Sequence, residues 1–404
     1  MALTLLLATP ALPGPGSDPP ASSSGQAASE ATRGSVLAVV GGLLVDGTGA
    51  EPIPDSAIII EDGRIMAAGP RRETRIPPGA AAVDATDRTV IPGLIDMHVH
   101  LVPALDPGEF LRYGVTSVRH MGNTTIEWIA ELKDAVDSGR VRGPRIFHAG
   151  RFVVSQPPLD PSNFPDGEID HYSVIHDKSE IPAIIDELVR AGAELVKVKA
   201  HMDPALLPDL CAAAQKAGLP VAFDALGGSS FNALDALRAG AVGVEHLGGI
   251  DFASPHETEM ALRKMLQTGA YAVPTFAVLE RTFSDGRLET SREFVRSFHR
   301  RGGTVLAGSD APSRGTPPGE SLHEELGYLV AAGLTPRDAL RAASGAAGRA
   351  LGYQGRIGTI ETGAWADLVI LRGMPLERIA ESRLIEKVFK GGVQAWPPAG
   401  AATH

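Results

Sequence analysis

The segment Thr89-Val90-Ile91-Pro92-Gly93-Leu94-Ile95-Asp96-Met97-His98-Val99-His100 sets the frame for every other part of this chain. A Pro-Gly breaker precedes a short apolar run, the pattern of a buried strand ending in two histidines. Strand side chains alternate between faces, so His98 and His100 point the same way, one residue apart. Two imidazoles converging from one strand can share a metal ion, and they can equally be solvated strand residues. The rest of the chain separates the two readings.

At 404 residues the chain can form one long α/β barrel or two ordinary domains. Hydrophobic residues make up 44%, near the globular average, which argues against disorder and against a membrane protein. No uninterrupted run of about 18 apolar residues is present, so no membrane span is expected. A formal net charge of −11 argues against a nucleic-acid partner. Cys211 is the single cysteine, which excludes an intramolecular disulfide and a thiolate metal cluster. A soluble enzyme acting on a small molecule is the expected class. Residues 1–35 fit no domain: an apolar run from Leu3 to Leu12 leads into a Pro/Gly/Ser/Ala-rich stretch ending near Gly34. This reads as a secretory signal and linker, or as a disordered tail, and no Lys or Arg precedes the apolar run. Export is the expected localisation, with the cytoplasm as the alternative.

From Val36 to about Thr89 the text is all-β. Ala57-Ile58-Ile59-Ile60 and Arg64-Ile65-Met66-Ala67 flank Glu61-Asp62-Gly63, a strong hairpin signal. Similar text returns at Ala366-Asp367-Leu368-Val369-Ile370-Leu371 and at Ile385 to Gly392. The two ends therefore predict one composite β-sandwich domain from residues 36–90 and 357–396. The middle, residues 91–356, alternates strands and helices. Strands are expected to begin near Ile91, Thr116, Arg145, Glu194, Leu219, Val242, Ala270 and Thr304. Thr124-x-x-Glu127 reads as a capping box, while Asp203-Pro204 and Thr335-Pro336 open further helices. Eight strand–helix repeats predict an α/β fold, a (β/α)8 TIM-type barrel whose chemistry sits at the C-terminal strand ends. Those ends carry His98 and His100, Lys197 and Lys199, Asp224, His246 and Asp310. Histidines and carboxylates on separate strands at one rim can surround one or two divalent cations. A lysine buried among them is unexpected unless it is paired or chemically altered.

These residues resemble the amidohydrolase superfamily, in its imidazolonepropionase-like and Xaa-Pro dipeptidase-like group. The likeness runs from about Val36 to Trp396. It rests on the opening segment, on Gly114-Val115-Thr116-Ser117-Val118-Arg119 and on Gly192-Ala193-Glu194-Leu195-Val196-Lys197-Val198. It continues through Val244-Glu245-His246-Leu247, Leu306-Ala307-Gly308-Ser309-Asp310-Ala311 and the segment Gly358 to Val369. The resemblance implies that His98, His100 and Asp310 hold one metal. It implies that Lys197, carboxylated by carbon dioxide, bridges to a second, with Lys199 the other candidate, and that His246 is a further ligand. Strand 5 departs from the pattern, with Asp224 where the family has histidine. Asp224 can ligate through oxygen, so a second site either survives with harder character or is weakened. His120 is a second departure, since the family usually has aspartate there. His120, His148 and His201 are expected at the same rim, either replacing the missing imidazole or contacting substrate.

The implied cofactor is one or two divalent ions, zinc first. The implied activity is hydrolysis of an amide-type C–N bond in a dipeptide, an N-acyl amino acid or a cyclic amide. Asp310 would act as both ligand and proton carrier. Cleavage of C–O bonds by an esterase or lactonase, and small-molecule binding without turnover, are the alternatives. A homo-oligomer is expected by analogy alone. The segment Arg151 to Ser179, with His171, Tyr172 and His176, reads as a lid, a specificity loop or a surface excursion.

Overall fold

The computed structural model describes residues 36–156, 171–225, 230–283 and 287–398. The leader expected at residues 1–35 lies outside the described residues, as do residues 157–170 of the long segment after the third strand. The hairpin forms as its turn chemistry predicts. Strands Ser56–Glu61 and Arg64–Pro70 pair antiparallel with Glu61 opposite Arg64. Asp62 and Gly63 between them take φ of 49° and 75°, the left-handed geometry that suits the twist of a two-residue hairpin.

These two strands join Leu37–Val40 and Ala81–Asp84 in a four-stranded sheet. A second, five-stranded sheet interleaves the chain ends. Its order is Val393–Trp396, Ile385–Lys390, Leu368–Leu371, Thr89–Pro92 and Leu43–Leu44. One apolar cluster, including Val39, Ile58, Ile60, Val90, Leu368, Ile370 and Phe389, packs both sheets together.

The middle of the chain builds two parallel sheets. Leu94–Val99, Val115–His120 and Arg145–His148 form one. The other runs Tyr172–Val174, Phe152–Val154, Val196–Lys199, Val221–Asp224, Gly243–Glu245, Tyr271–Val273 and Thr304–Val305. Backbone hydrogen bonds cross between them on both sides: Met97 N–H to Ala307 O and Asp310 N–H to His98 O on one, Glu194 N–H to His148 O on the other. Helices between the strands bury apolar stripes at helical spacing. On Leu207–Lys216 these are Leu207, Leu210, Cys211 and Ala214.

Two local expectations change. The helix Ile126–Asp137 is capped by Thr125, whose side chain accepts from Trp128 N–H, because the Thr124 hydroxyl is engaged with His120 Nε2. Part of the segment after the third strand, expected as loop, is instead strand. Phe152–Val154 pairs with Val196–Lys199 and Tyr172–Val174 pairs with Phe152–Val154, so Phe152 stands beside Lys197. Three-residue strands are too short to show alternation in sequence.

A buried carboxylate steadies the turn after the Tyr271–Val273 strand. Glu325, on helix Glu320–Ala331, accepts from Ala277 N–H at 2.8 Å at the start of helix Phe276–Thr282. Burial pushes the Glu325 carboxyl up to about 8. A glutamate in the unfolded chain titrates near about 4.3, so across that window the folded chain holds a proton the unfolded chain has released. Stability from this group is therefore greatest below the unfolded value and falls as pH rises towards 8. Glu325→Gln keeps an acceptor for Ala277 and removes the titration. Its Tm advantage over wild type is expected to widen from about pH 5 to about pH 8; a gap that does not change with pH would refute the assignment.

Candidate metal centre

Three imidazoles meet at one rim, and each has its Nδ1 proton engaged elsewhere. His98 Nδ1–H donates to Glu245 Oε2 at 2.7 Å. His100 Nδ1–H donates to the Gly122 carbonyl at 2.8 Å. Thr275 gives its single hydroxyl proton to Pro274 O, so at 2.6 Å its oxygen accepts from His246 Nδ1–H. Each ring is thereby held in the tautomer whose Nε2 lone pair is available. Burial, then the nearby Lys197 charge, holds the His98 pKa well below its usual value, which favours the same neutral form.

Asp310 completes the group, with Oδ1 3.1 Å from His100 Nε2 and 3.8 Å from His98 Nε2. Ser313 Oγ–H donates to the same oxygen. Burial alone would raise the Asp310 carboxyl, but the imidazoles of His100 and His246 against it and the nearby Lys197 charge hold it below its ordinary value. Ligand atoms of His98, His246 and Asp310 all lie within 4.8 Å of one another. Neutral imidazoles with one carboxylate are a donor set that fits a divalent ion such as zinc. The backbone is strained here: His246, Leu247, Thr275 and Asp310 take φ of 56°, 54°, 54° and 61°. Left-handed conformations at such residues persist only where surrounding contacts enforce them, and they cluster at functional sites.

The supports beneath the rim are charged. Glu245 also accepts from Arg119 at 2.7 Å, and Arg119 donates to Met97 O and Tyr271 Oη. Asp96 accepts from the His98 and Ser309 backbone amides and from the Ser309 hydroxyl, tying the first strand to the Asp310 turn. Asp96, Arg119, Glu245, Thr275 and Ser309 did not stand out in the sequence. For Arg119, Glu245 and Ser309 the available signal was a charged or hydroxyl residue immediately before a histidine or aspartate expected at the rim; Asp96 stands two residues before His98, and Thr275 carried no such signal.

Lys197 is fully buried, its Nζ 3.2 Å from His98 Nε2 and 3.3 Å from Asp224 Oδ2. Lys199 Nζ lies 2.8 Å from that same Asp224 oxygen. Both ammonium groups stand 5.1 Å from the centre of the Phe152 ring. A cavity of about 270 Å³ opens above, lined by His100, Lys199, Asp224, His246 and Asp310, with Phe152, Tyr172, Val278, Leu279 and Arg314 as walls.

The other expected histidines lie elsewhere. His120 accepts from Leu101 N–H through Nδ1 and meets the Thr124 hydroxyl through Nε2, so both ring nitrogens are engaged. His148 accepts from Gly150 N–H, and burial pushes its pKa down to about 3. His201 gives its backbone carbonyl to Ser155 and Gln156. None of the three lines the cavity. His120 and His148 each stand one residue beyond Arg119 and Phe147, on the opposite strand face.

Residues 89–395 match the model of the amidohydrolase family, and the chain belongs to that family. It is a metal-dependent hydrolase acting on amide-type C–N bonds. An imidazolonepropionase of Methylobacterium nodulans is 29% identical over 378 residues, covering 81% of this chain and 90% of that protein. An imidazolonepropionase of Sphingopyxis alaskensis is 27% identical over 381 residues, covering 79% and 86%. Among solved structures, a Xaa-Pro dipeptidase with bound methionine in its active site superposes with a TM-score of 0.73 at 24% identity, covering 89% of this chain and 99% of that one. The ochratoxinase of A. niger superposes at 0.75 with 21% identity, covering 90% and 96%. At such identities these two structures speak for the fold. No helix among the described residues is long and apolar enough to cross a membrane.

Glu245→Gln removes the anion that holds the His98 ring and pairs Arg119. Zinc affinity, measured by titration of metal-free protein, is expected to fall about 10- to 100-fold. An unchanged affinity would mean that Glu245 does not orient a ligand.

Proposed function

We propose that the two parallel sheets close into one (β/α)8 barrel running from Leu94 to about residue 356, topped by a β-sandwich domain from residues 36–92 and 357–396, since Thr89–Pro92, expected to open the barrel at residue 91, pairs within the five-stranded sheet instead. The hydrogen bonds across both sheet edges and the apolar cluster shared by the two chain ends support this. On that scaffold His98, His100, His246 and Asp310 hold a divalent ion, zinc by the character of the donors. The observation that carries the reading is the Nε2 lone pairs of His98 and His100 facing the Asp310 carboxylate, with His246 in the same cluster.

When bound, a divalent ion supplies Lewis acidity and makes a water nucleophilic near neutral pH. Asp310 accepts the proton of the attacking water on Oδ2 and returns it to the leaving nitrogen. Its lowered pKa keeps it unprotonated at neutral pH, so kcat/KM is lost on the acid side as Asp310 takes up a proton. Lys197 is the residue for carboxylation. Burial lowers its pKa first, with the Lys199 charge adding to the effect, and this favours the neutral amine. That amine adds to carbon dioxide, forming an N–C bond and releasing a proton.

The substrate is a dipeptide or N-acyl amino acid with a free carboxylate. Arg314 on the cavity wall offers a fork for that carboxylate, while Phe152, Tyr172, Val278 and Leu279 suit an apolar side chain. A panel of such amides should turn over only with metal present, and chelation should abolish the activity. Asp310→Asn is expected to lower kcat by about 10²- to 10⁴-fold while keeping bound zinc. Turnover that survives chelation would overturn the metal mechanism, and an undiminished Asp310→Asn would overturn the proton carrier.

A further inference from the structure

The charges around the rim form pairs, and one pair stands where the resemblance calls for a second metal ligand. Asp224 and Lys199 are direct neighbours across the parallel strands Val196–Lys199 and Val221–Asp224. Their register sets the 2.8 Å contact between Lys199 Nζ and Asp224 Oδ2, and Lys197 Nζ approaches the same oxygen at 3.3 Å. His246 Nε2 lies 3.5 Å from it as well. The Asp224 oxygen nearest His246 is thus already paired with the Lys199 ammonium, whatever the state of Lys197. This does not fit a second divalent ion between Asp224 and His246.

We propose that this centre is built for a single divalent ion, with the Lys199–Asp224 ion pair in place of a second ion and the Lys199 ammonium serving as the cation that meets substrate. Charge balance supports it. Glu245 cancels Arg119, Asp224 cancels Lys199, and Asp310 is left opposite Lys197. One divalent ion brings two positive charges, and converting the Lys197 ammonium to a carbamate removes two. A second ion would leave two more uncompensated in a buried site, where unpaired charge is costly. Counting Asp96 as a further anion would balance only half of that. Lys197 is enclosed, whereas the Lys199 side chain keeps 31% of its exposure and lines the cavity, so its N–H groups can reach a substrate carbonyl oxygen as negative charge develops there.

The inference rests on the hydrolase reading above, and the test separates the two. Zinc bound per chain is measured by elemental analysis and by titration of metal-free protein, prepared with bicarbonate. Wild type is expected to bind one equivalent. The double variant Lys199→Met/Asp224→His, which removes the ammonium and supplies an imidazole, is expected to show a second binding event. Two equivalents in wild type would overturn the proposal while leaving the hydrolase intact, and so would a double variant that still binds one. One equivalent in wild type with no turnover on any amide would instead sink the substrate reading and leave the single-ion centre standing. For the role towards substrate, Lys199→Met is expected to lower kcat at least about 10-fold with one zinc retained, and Lys199→Arg to recover part of it. An unchanged kcat in Lys199→Met would overturn that role.

Discussion

Glu245 lies wholly buried between the Arg119 guanidinium and the His98 imidazole, within 2.7 Å of each. Burying a carboxylate costs several kcal/mol in desolvation unless its partners are close and well oriented, and removing one partner from such a pair costs about 3–5 kcal/mol. That penalty is what makes the arrangement rigid. Arg119 comes from the second parallel strand, Glu245 from the Gly243–Glu245 strand and His98 from the first. Arg119 further binds Met97 O and Tyr271 Oη, so four strands are held in one register by one charged network. The position and tautomer of His98 follow from it.

The same logic recurs at the other two rings with different partners. A backbone carbonyl holds His100 and a threonine hydroxyl holds His246. In each case the proton on Nδ1 is taken, and Nε2 is left to face the cavity. The left-handed backbone at His246, Leu247, Thr275 and Asp310 belongs to this design. Such conformations cost of order 1–3 kcal/mol each, and the surrounding parallel sheet supplies the stability that offsets them.

Fully apolar strands would make more stable sheets, yet these two bury Asp96, Arg119, Lys197, Asp224 and Glu245. Each of these charges either holds a rim histidine or the Asp310 turn in place or belongs to a pair at the cavity. Phe152 contributes a face towards both lysines, placed there because a short strand that sequence patterning reads as loop adds to the sheet beside Val196–Lys199. Apolar walls and paired charges together shape the cavity.

Much of the architecture is legible in the linear text because it depends on local chemistry. Asp62-Gly63 specifies its hairpin turn, Thr335-Pro336 and Asp203-Pro204 open their helices, and the helix stripes bury at their expected spacing. The Pro-Gly break before the first strand, and the alternation that aligns His98 with His100, are equally local. Other features depend on which strands become neighbours. His120 and His148 are rim histidines by sequence position, but the strand pleat turns each to the opposite face. The pairing of Asp224 with Lys199, and of Glu245 with Arg119 and His98, joins residues 25, 126 and 147 positions apart. Sequence by itself determined which residue types stand at the strand ends, because periodicity and turn residues act over a few neighbours. Only the tertiary structure decided which of those residues share a charge, a proton or a ligand position, because such interactions act over a few ångströms between segments far apart in the chain.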